Sequence, residues 1–402
     1  MIARIHPSPL RGRLAAIPSK SEAHRLLICA ALADAPTKLI LRGTSQDIQA
    51  TIRCLRALGA IIDVHDDHTD IRPVQVLPSK CEMDVGESGT TLRFMLCVVA
   101  ALGVETRFVM HGRLGQRPMK ALEDALRGGG CETDHSPNDV LSIRGRLRPG
   151  AFSLPGNVSS QYISGMLMAL ALIGGNSTLN ITGAVESADY IQMTLRAMQA
   201  FGIQSKQTGF CFEFNGATRY VSPVELAVDG DWSNAAFWLC ADAIDGCAIE
   251  IDGLSSRSAQ GDRRIADIVK HLPPTVDASP IPDLIPAVAA LYAALGRPLR
   301  VFNAARLRLK ESDRLHTVCR CINALGGRAV ESDDALTISG GAPLLGGRVD
   351  AAGDHRIAMM AAVAAIACRD TVEIVGAQAV DKSYPNFWRD YAALGGKLEL
   401  IQ

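Results

Sequence analysis

Six times along the chain, a short cluster of polar or charged residues is followed at once by an apolar run of about twelve residues. Such a run is apolar on every side of a helix, whereas a helix at the protein surface keeps one polar face. Each run therefore predicts a helix buried in the centre of a domain, with other elements packed around it. The clusters begin at Ser19, Ser88, Ser159, Asp231, Ile281 and Gly353.

A second pattern recurs in step with the first: a helix end, a glycine and then an alternating strand, about 70 residues apart with one double interval. Glycine adopts the left-handed backbone that ends many helices. A weaker copy inside the double interval has Leu272 and Pro273 in place of the glycine. Each repeat is thus predicted to add a surface helix, a cap and a strand. The glycines in register are Gly59, Gly129, Gly202, Gly326 and Gly395.

Six such repeats predict an α/β protein with its sheets outside and its buried helices inside, in two groups of three. No GxGxxG motif follows a predicted strand, which argues against a dinucleotide-binding fold. The eight shorter βα units of a TIM barrel do not fit the repeat length either.

Composition excludes several classes of protein. The 41 Lys and Arg residues against 42 Asp and Glu leave a net charge of −1, which disfavours a basic nucleic-acid binder. The eleven cysteines are scattered without the CxxC spacing that holds zinc, so we expect reduced thiols and a cytoplasmic location. The apolar runs are too short to cross a membrane, and no secretory signal is expected.

Hydroxyl and cationic side chains mark the predicted starts of the buried helices in the first half of the chain. Free backbone N–H groups and the helix dipole make such a start an anion site. A serine cap with solvated cations explains each cluster alone, but three equivalent clusters favour one shared ligand. The candidates are Ser19, Lys20, Ser21 and Arg25, then Ser88 to Thr91 with Arg93, then Ser159, Ser160 and Gln161, together with Arg117, Ser187 and Tyr190.

The second half carries a denser set of charges. The stretch RLRLKESDR is expected to end a strand with its cations on one side and to turn into a helix at 311–314. A solvated charged face is the alternative interpretation of this run. Asp283, Arg356 and Lys382 stand near predicted helix starts, where an aspartate such as Asp283 also fits a simple N-cap.

The motifs SKSEAHR, SGTTLRF, RPM, SSQYISGMLMAL, LRLKESDR, GDHRIAM and DKSYPNF occur in this order. Their combination, from Ile5 to the end of the chain, resembles the 5-enolpyruvylshikimate-3-phosphate synthase family of enolpyruvyl transferases. The resemblance implies a two-lobed inside-out α/β barrel of six βαβαββ repeats, three per lobe, with the active site in the cleft. We expect one lobe at residues 19–228 and the other at residues 1–18 plus 229–402.

The resemblance also implies a reaction. The enolpyruvyl group of phosphoenolpyruvate would pass to the 5-hydroxyl of shikimate 3-phosphate through a tetrahedral ketal, with release of phosphate, in the shikimate pathway to chorismate and aromatic amino acids. The implied partners are these two small substrates, without nucleic acid or membrane. We expect a cytoplasmic monomer that needs no metal and no other cofactor.

Motif positions imply roles for individual residues. Asp283 resembles the base at the 5-hydroxyl, Glu311 the acid and base at C3, and Lys20 a third catalytic residue. The implied ligands of shikimate 3-phosphate are Lys20, Ser21, Arg25, Ser159, Ser160, Gln161, Ser187, Tyr190, Asp283, Arg306 and Lys310. The implied ligands of phosphoenolpyruvate are Lys20, Gly89, Arg117, Gln161, Arg314, Arg356 and Lys382. Arg306 departs from the family pattern, because many members carry asparagine there.

Two alternative functions fit the sequence less well. A sister enzyme transfers the same group to UDP-N-acetylglucosamine and uses a cysteine in the loop that corresponds to HGRLGQRPM, but no cysteine lies between Cys97 and Cys131. A non-catalytic anion-binding protein would be expected to have lost at least one catalytic residue, yet all of those implied are present.

Overall fold

Strands and helices alternate along the chain in short elements. The structure, a computed structural model, describes residues 1–136, 139–216, 218–246 and 249–402. The strands of the described residues are β1 (Ile2–His6), β2 (Gly12–Ala15), β3 (Thr37–Ile40), β4 (Ile61–Val64), β5 (Thr69–Arg72), β6 (Lys80–Gly86), β7 (Glu105–Met110), β8 (Cys131–Ser136), β9 (Val140–Gly145), β10 (Ala151–Pro155), β11 (Asn176–Thr182), β12 (Lys206–Thr208), β13 (Cys211–Asn215), β14 (Glu225–Ala227), β15 (Ile249–Asp252), β16 (Thr275–Asp277), β17 (Leu299–Phe302), β18 (Ala329–Glu331), β19 (Leu336–Ile338), β20 (Gly347–Asp350), β21 (Val372–Val375) and β22 (Lys397–Ile401). The α-helices are α1 (Lys20–Ala31), α2 (Gln46–Ala57), α3 (Gly89–Leu102), α4 (Lys120–Gly128), α5 (Ser160–Leu170), α6 (Ala188–Ala200), α7 (Trp232–Asp245), α8 (Ile265–His271), α9 (Ile285–Ala294), α10 (Arg314–Ala324), α11 (His355–Ala364) and α12 (Phe387–Ala393).

These elements form two compact units. The continuous unit comprises Pro18–Val228, and the discontinuous unit combines Met1–Ile17 with Asp229–Gln402. The first boundary lies one residue before the position expected from the sequence. Each unit has its own apolar core of buried side chains.

The continuous unit repeats one sheet three times. Its four-stranded sheets have the orders β14-β3-β5-β4, β6-β7-β9-β8 and β10-β11-β13-β12. In each sheet the first two strands are parallel and the remaining pairs antiparallel. Each module therefore has the βαβαββ pattern, and the first borrows its leading strand, β14, from the end of the unit.

The discontinuous unit contains two sheets of the same kind, β16-β17-β19-β18 and β20-β21-β1-β22. In the described residues its third sheet contains two strands, β2 and β15. The modules of the continuous unit have two strands after their second helix, whereas here α8 leads directly into β16 of the next module. The expected six-module α/β fold is confirmed, with one module shortened in the part of the chain that the structure describes.

The six apolar runs form the buried helices α1, α3, α5, α7, α9 and α11, as predicted. Ser19, Ser88, Ser159, Asp231 and Asp354 each cap one of them, through a side-chain oxygen that accepts a backbone N–H of the first turn. Helix α9 has proline in its first turn instead of a side-chain cap.

Left-handed residues end the surface helices. Gly59, Gly202, Gly326 and Gly395 have φ angles of 110°, 76°, 89° and 93°. Leu272 replaces glycine with a φ of 46°, as its place in the weaker repeat predicted. The assignment of this role to Gly129 is wrong, because Gly130 has the positive φ, of 100°. A Cβ on Gly129 would collide with the side chains of Leu147 and Phe152, so close packing requires glycine there.

Every helix in the described ranges is too short or too polar to cross a membrane.

Candidate functional site

The charged stretch before α10 does not form the expected strand end. Strand β17 stops at Phe302, and Ala305–Leu309 form a 3₁₀ turn. Asn303 has a φ of 52°, and the N–H of Ala305 donates to Asp334 Oδ1 at 2.6 Å, so the chain leaves the sheet. Helix α10 begins at Arg314 after an Asp313 cap, rather than at Glu311.

The carboxylate of Asp283 lies among three cations. Its Oδ1 accepts hydrogen bonds from Arg314 Nη1 at 2.7 Å and from Lys310 Nζ at 3.3 Å. Its Oδ2 lies 3.5 Å from Arg356 Nη2. The N-cap interpretation of Asp283 is wrong, because Leu284 occupies that position of α9 and no side chain caps the helix.

Arg314 is 1% exposed and bridges three carboxylates. Besides Asp283, it donates from Nε to Asp354 Oδ2 and from Nη2 to Glu311 Oε2, both at 2.7 Å. Burial lowers the pKa of Arg314, but the three carboxylates outweigh burial and raise it above the ordinary value. Burial would raise the pKa of Asp354, and Arg314 reverses this and lowers it. Arg314 therefore keeps its charge and fixes the positions of the acids around it.

Lys310 titrates close to neutral pH. Burial lowers its pKa to about 8, the nearby charge of Asp283 opposes the shift, and the charge of Arg306 adds to it. Arg306 thus lies close enough to Lys310 to act on it electrostatically.

A relay of hydrogen bonds orients Arg356. Its Nη2 donates to Ser233 Oγ at 2.9 Å, and that hydroxyl donates to Asp262 Oδ2 at 2.9 Å. Its Nη1 donates to the backbone oxygen of Asp283 at 3.0 Å. Ser233 lies in a polar cluster that the sequence marked without a role, whereas no signal pointed to Asp262.

Lys382 ends a 3₁₀ turn, and its Nζ donates to the backbone oxygen of Gly353 at 2.6 Å, directly before α11. The structure therefore gathers most of the predicted residues of the discontinuous unit into one network. The Asp283 cluster is the name used below for Asp283, Lys310, Glu311, Arg314, Asp354, Arg356 and Lys382.

In the continuous unit, Arg25 is buried and ties three helices together. Its Nε donates to Thr194 Oγ1 at 2.7 Å, and its Nη2 donates to Ser164 Oγ at 3.2 Å and to the backbone oxygen of Tyr190 at 3.1 Å. Its Nη1 donates to the backbone oxygen of Ser21 at 2.5 Å. Burial lowers the pKa of Arg25 to about 10, so the side chain remains charged at neutral pH.

Lys20 forms an ion pair with Asp47 that sequence reasoning missed. Lys20 Nζ lies 2.7 Å from Asp47 Oδ2, and the two side chains are 14% and 13% exposed. Asp47 stands in the first turn of α2, where an acidic residue is ordinarily explained by the helix dipole.

Gly89 lies against two guanidinium groups at the start of α3. A Cβ at this position would lie 2.7 Å from Arg117 Nη1 and 2.9 Å from Arg93 Nη1. Arg93 also donates to Gln161 Oε1 at 2.5 Å, and Gln161 Nε2 donates to Thr90 Oγ1 at 2.8 Å. Arg93 therefore joins the start of α3 to the start of α5, a role that its motif did not reveal.

The remaining candidates also lie at helix starts. Ser159 Oγ accepts the backbone N–H of Gln161 at 3.3 Å, so this serine acts as the cap that the simpler interpretation proposed. Ser160 opens α5, and Ser187 precedes α6 with a φ of 56°. The helix-start cluster is the name used below for Lys20, Ser21, Arg25, Gly89, Arg117, Ser159, Ser160, Gln161, Ser187 and Tyr190.

Comparison with known proteins identifies the family of the sequence. Residues 5–280 and 272–391 match the family model of EPSP synthase (3-phosphoshikimate 1-carboxyvinyltransferase). A curated relative from Clostridium acetobutylicum is named 3-phosphoshikimate 1-carboxyvinyltransferase. It is 37% identical over an alignment of 416 positions, gaps included, which covers 98% of this chain and 97% of the relative. A relative of the same name from Clostridium botulinum is 36% identical over an alignment of 424 positions, which covers 98% of this chain and 97% of the relative.

Solved structures agree with this assignment at the level of the fold. An EPSP synthase from Acinetobacter baumannii superposes with a TM-score of 0.83 at 22% identity, over 100% of both chains. The enolpyruvyl transferase NikO from Streptomyces tendae superposes with a TM-score of 0.78 at 17% identity, over 99% of this chain and 98% of its own. The fold is therefore that of the enolpyruvyl transferases. The chain belongs to the EPSP synthase (3-phosphoshikimate 1-carboxyvinyltransferase) family, and the resemblance seen in its motifs is confirmed.

Proposed function

We propose that the Asp283 cluster and the helix-start cluster together carry out the family's reaction in this chain. The reaction transfers the enolpyruvyl group of phosphoenolpyruvate to the 5-hydroxyl of shikimate 3-phosphate and releases phosphate. The observation that carries the proposal is the position of Asp283, whose carboxylate is held by Lys310 and Arg314 instead of capping a helix.

The helix-start cluster suits a phosphorylated sugar-like acid. Backbone N–H groups at helix starts and serine hydroxyls supply several donors to a phosphate, and Arg25 and Lys20 supply positive charge. Ser21, Ser159, Ser160, Ser187 and Tyr190 complete the proposed ligands of shikimate 3-phosphate in this unit. Arg306, Lys310 and Asp283 are further proposed ligands of shikimate 3-phosphate.

Phosphoenolpyruvate carries a phosphate and a carboxylate, and it needs more than one guanidinium to neutralise both. We assign this role to Arg117, Arg314 and Arg356, with Lys20, Lys382, Gly89 and Gln161 as further ligands. Because the acids and Ser233 already hold Arg314 and Arg356 in place, little side-chain entropy is lost when the substrate binds.

The chemistry needs two proton transfers. Asp283 accepts the proton of the 5-hydroxyl as that oxygen attacks C2 of phosphoenolpyruvate, while C3 gains a proton from Glu311. The resulting ketal then loses its phosphate, which leaves as hydrogen phosphate with the proton that Asp283 had accepted. The C3 proton returns to Glu311. Arg314 stabilises the ionised form of Glu311 at 2.7 Å, so its role as an acid requires the negative charge of the bound substrates to raise its proton affinity. Lys20 stabilises the charge that develops on phosphoenolpyruvate.

Every step is assigned to side chains of this protein, so the proposal includes no metal and no other cofactor. It also describes a cytoplasmic enzyme that acts as a monomer on two small substrates.

A phosphate-release assay tests the proposed function. Purified protein should release phosphate from phosphoenolpyruvate when shikimate 3-phosphate is present and not when either substrate is omitted. Turnover with UDP-N-acetylglucosamine as acceptor would assign the chain to the sister activity instead. Absence of release with both acceptors would favour the non-catalytic anion-binding alternative.

Removal of the Ser233 hydroxyl should weaken the binding of phosphoenolpyruvate. Ser233→Ala breaks the relay from Asp262 to Arg356, and hydrogen bonds to charged groups contribute about 1.5–3 kcal/mol. We therefore expect the KM for phosphoenolpyruvate to rise about tenfold or more, with a smaller change in kcat. Steady-state kinetics with Ser233→Thr, which keeps the hydroxyl, and with Ser256→Ala, an exposed serine of the same unit, provide the controls. An unchanged KM would remove Ser233 from this role.

The pH profile should report the charge of Lys310. With a pKa of about 8, the ammonium group is charged at neutral pH and loses its proton as the pH rises through 8. Binding of anionic substrates to the free enzyme then weakens, so kcat/KM should fall above pH 8. Lys310→Arg remains charged across this range and should move the fall to higher pH. A profile that falls at the same pH in both proteins would assign the titration to another group.

A further inference from the structure

The hairpin of β4 and β5 carries histidine and aspartate side chains that the proposed reaction does not use. Asp63 pairs with Asp70 across the hairpin, and the backbone N–H of His65 donates to the oxygen of His68 at 2.9 Å. Side chains alternate between the two faces of a strand, and directly opposed residues share a face. The backbone therefore places His65, His68 and Asp70 together on the outer face of the sheet.

The three side chains approach one another at a distance typical of ligands around a small cation. Asp70 Oδ2 lies 3.4 Å from His65 Nε2 and 3.5 Å from His68 Nε2, and all three ligand atoms fall within 4.8 Å of one another. Ligands on a tetrahedral ion with bonds of about 2.0–2.1 Å stand roughly 3.3–3.4 Å apart. The two separations from Asp70 are close to this value and long for a direct hydrogen bond.

A neighbouring carboxylate fixes the orientation of His68. Asp67 Oδ1 lies 2.6 Å from His68 Nδ1, so this nitrogen carries a proton and donates it to Asp67. The other ring nitrogen, Nε2, then faces Asp70. Metal-bound histidines are commonly held by such a carboxylate on the second nitrogen.

The charges around the group favour a cation. Asp63, on the same face, is paired with Arg72 at 3.2 Å, and Lys38, opposite Asp70 on β3, lies 3.5 Å from Glu225. The nearby cations thus have carboxylates of their own. Within the described ranges, the ion-pair partners of Asp70 are the two imidazoles. His65 is 48% exposed and Asp70 50%, so an ion reaches them from solvent.

We propose that His65, His68 and Asp70 form a surface site for a divalent cation of the zinc class, with Asp67 orienting His68 and water completing the coordination. Two imidazole nitrogens and one carboxylate oxygen suit Zn²⁺, Ni²⁺ and Cu²⁺ better than Mg²⁺ or Ca²⁺, which prefer oxygen ligands alone. The bound ion would link the two strands at the tip of the hairpin and stabilise the continuous unit by mass action. The site is independent of the proposed function.

Calorimetric titration of the full chain with ZnCl₂, without substrates, tests the site. We expect one Zn²⁺ to bind per chain to the unmodified protein. His65→Ala and Asp70→Asn should each lose this binding, and Asp67→Asn should weaken it by about 10–100-fold, the usual effect of removing an orienting group. His111→Ala is the matched control, because His111 Nε2 lies 3.0 Å from Asp84 in a histidine–carboxylate pair without a second imidazole. This variant should bind Zn²⁺ like the unmodified protein.

Co²⁺ provides a second readout, because the spectrum of the bound ion reports its donor atoms as well as its occupancy. Visible absorption of the bound ion should show nitrogen and oxygen coordination, and it should disappear in His65→Ala. Circular dichroism checks that each variant is folded. The proposal is overturned if the unmodified protein takes up no stoichiometric zinc, if His65→Ala and Asp70→Asn bind it equally well, or if a thiolate charge-transfer band places the ion on a cysteine.

Discussion

Asp283→Ala is expected to lower kcat by about 10²–10⁴-fold, the usual contribution of a general acid or base. The substitution removes the proposed proton acceptor of the 5-hydroxyl. It also leaves Lys310 and Arg314 without the carboxylate that separates their charges, at 3.3 and 2.7 Å. Steady-state phosphate release with saturating substrates measures the effect.

Two further variants separate the chemistry of Asp283 from its structural role. Asp283→Asn keeps the size of the side chain and accepts the same hydrogen bonds, but it does not accept a proton, so its kcat should fall with that of the alanine variant. Asp267→Ala removes an exposed carboxylate from α8 of the same unit and should leave kcat unchanged. Near-normal turnover of either Asp283 variant would exclude Asp283 as the base.

Asp354→Ala is expected to cost about 3–5 kcal/mol in the free energy of unfolding, the loss typical of breaking a buried ion pair from one side. Asp354 is fully buried and accepts two hydrogen bonds from Arg314, from Nε at 2.7 Å and from Nη2 at 3.2 Å. It also caps α11 by accepting the backbone N–H of Arg356 at 2.9 Å, so the substitution removes a helix cap as well.

Urea unfolding followed by circular dichroism measures this loss as a lower transition midpoint. Asp350→Ala provides the comparison, because Asp350 is an exposed aspartate four positions earlier whose Oδ1 accepts only a local backbone N–H, from Ala352 at 2.8 Å. It should change the free energy of unfolding by less than about 1 kcal/mol. An equal decrease in the free energy of unfolding of both variants would show that the buried ion pair does not stabilise the start of α11.

Features with a local cause were predictable from the sequence. The buried helices follow from runs that are apolar on all sides, and the serine caps follow from the residue types before three of the runs. Leu272 shows how far this reasoning extends, since the repeat placed a left-handed residue there without a glycine. These signals depend on a few neighbouring residues, so one sequence is enough to find them.

Features that depend on distant partners were not predictable in the same way. Asp47 pairs with Lys20 from another helix, and Asp262 is connected to Arg356 through Ser233. No spacing in the sequence encodes such contacts. The family motifs predict the ligands, but they did not indicate the groups that orient those side chains.

The incorrect strand before α10 shows competition between local and tertiary signals. Alternation of Leu307 and Leu309 predicted one shared face, yet Leu307 is buried and Leu309 is 42% exposed. A hydrogen bond from Ala305 to Asp334, 29 positions away, helps to turn the chain into a 3₁₀ turn instead. An alternation of two leucines is too short a pattern to predict a strand against this tertiary hydrogen bond.

The position of β1 has a consequence for the order in which the protein folds. This strand lies between β21 and β22, and its Arg4 donates to Glu373, 369 positions further along the chain. During synthesis the continuous unit is complete in sequence long before β21 and β22 leave the ribosome, and domains generally fold in the order in which they emerge. The first strand therefore stays without its partner strands until the end of the chain has been synthesised. The pairing of β1 with β21 and β22 closes a very long loop of the chain. This pairing therefore limits how early the discontinuous unit forms its native sheet.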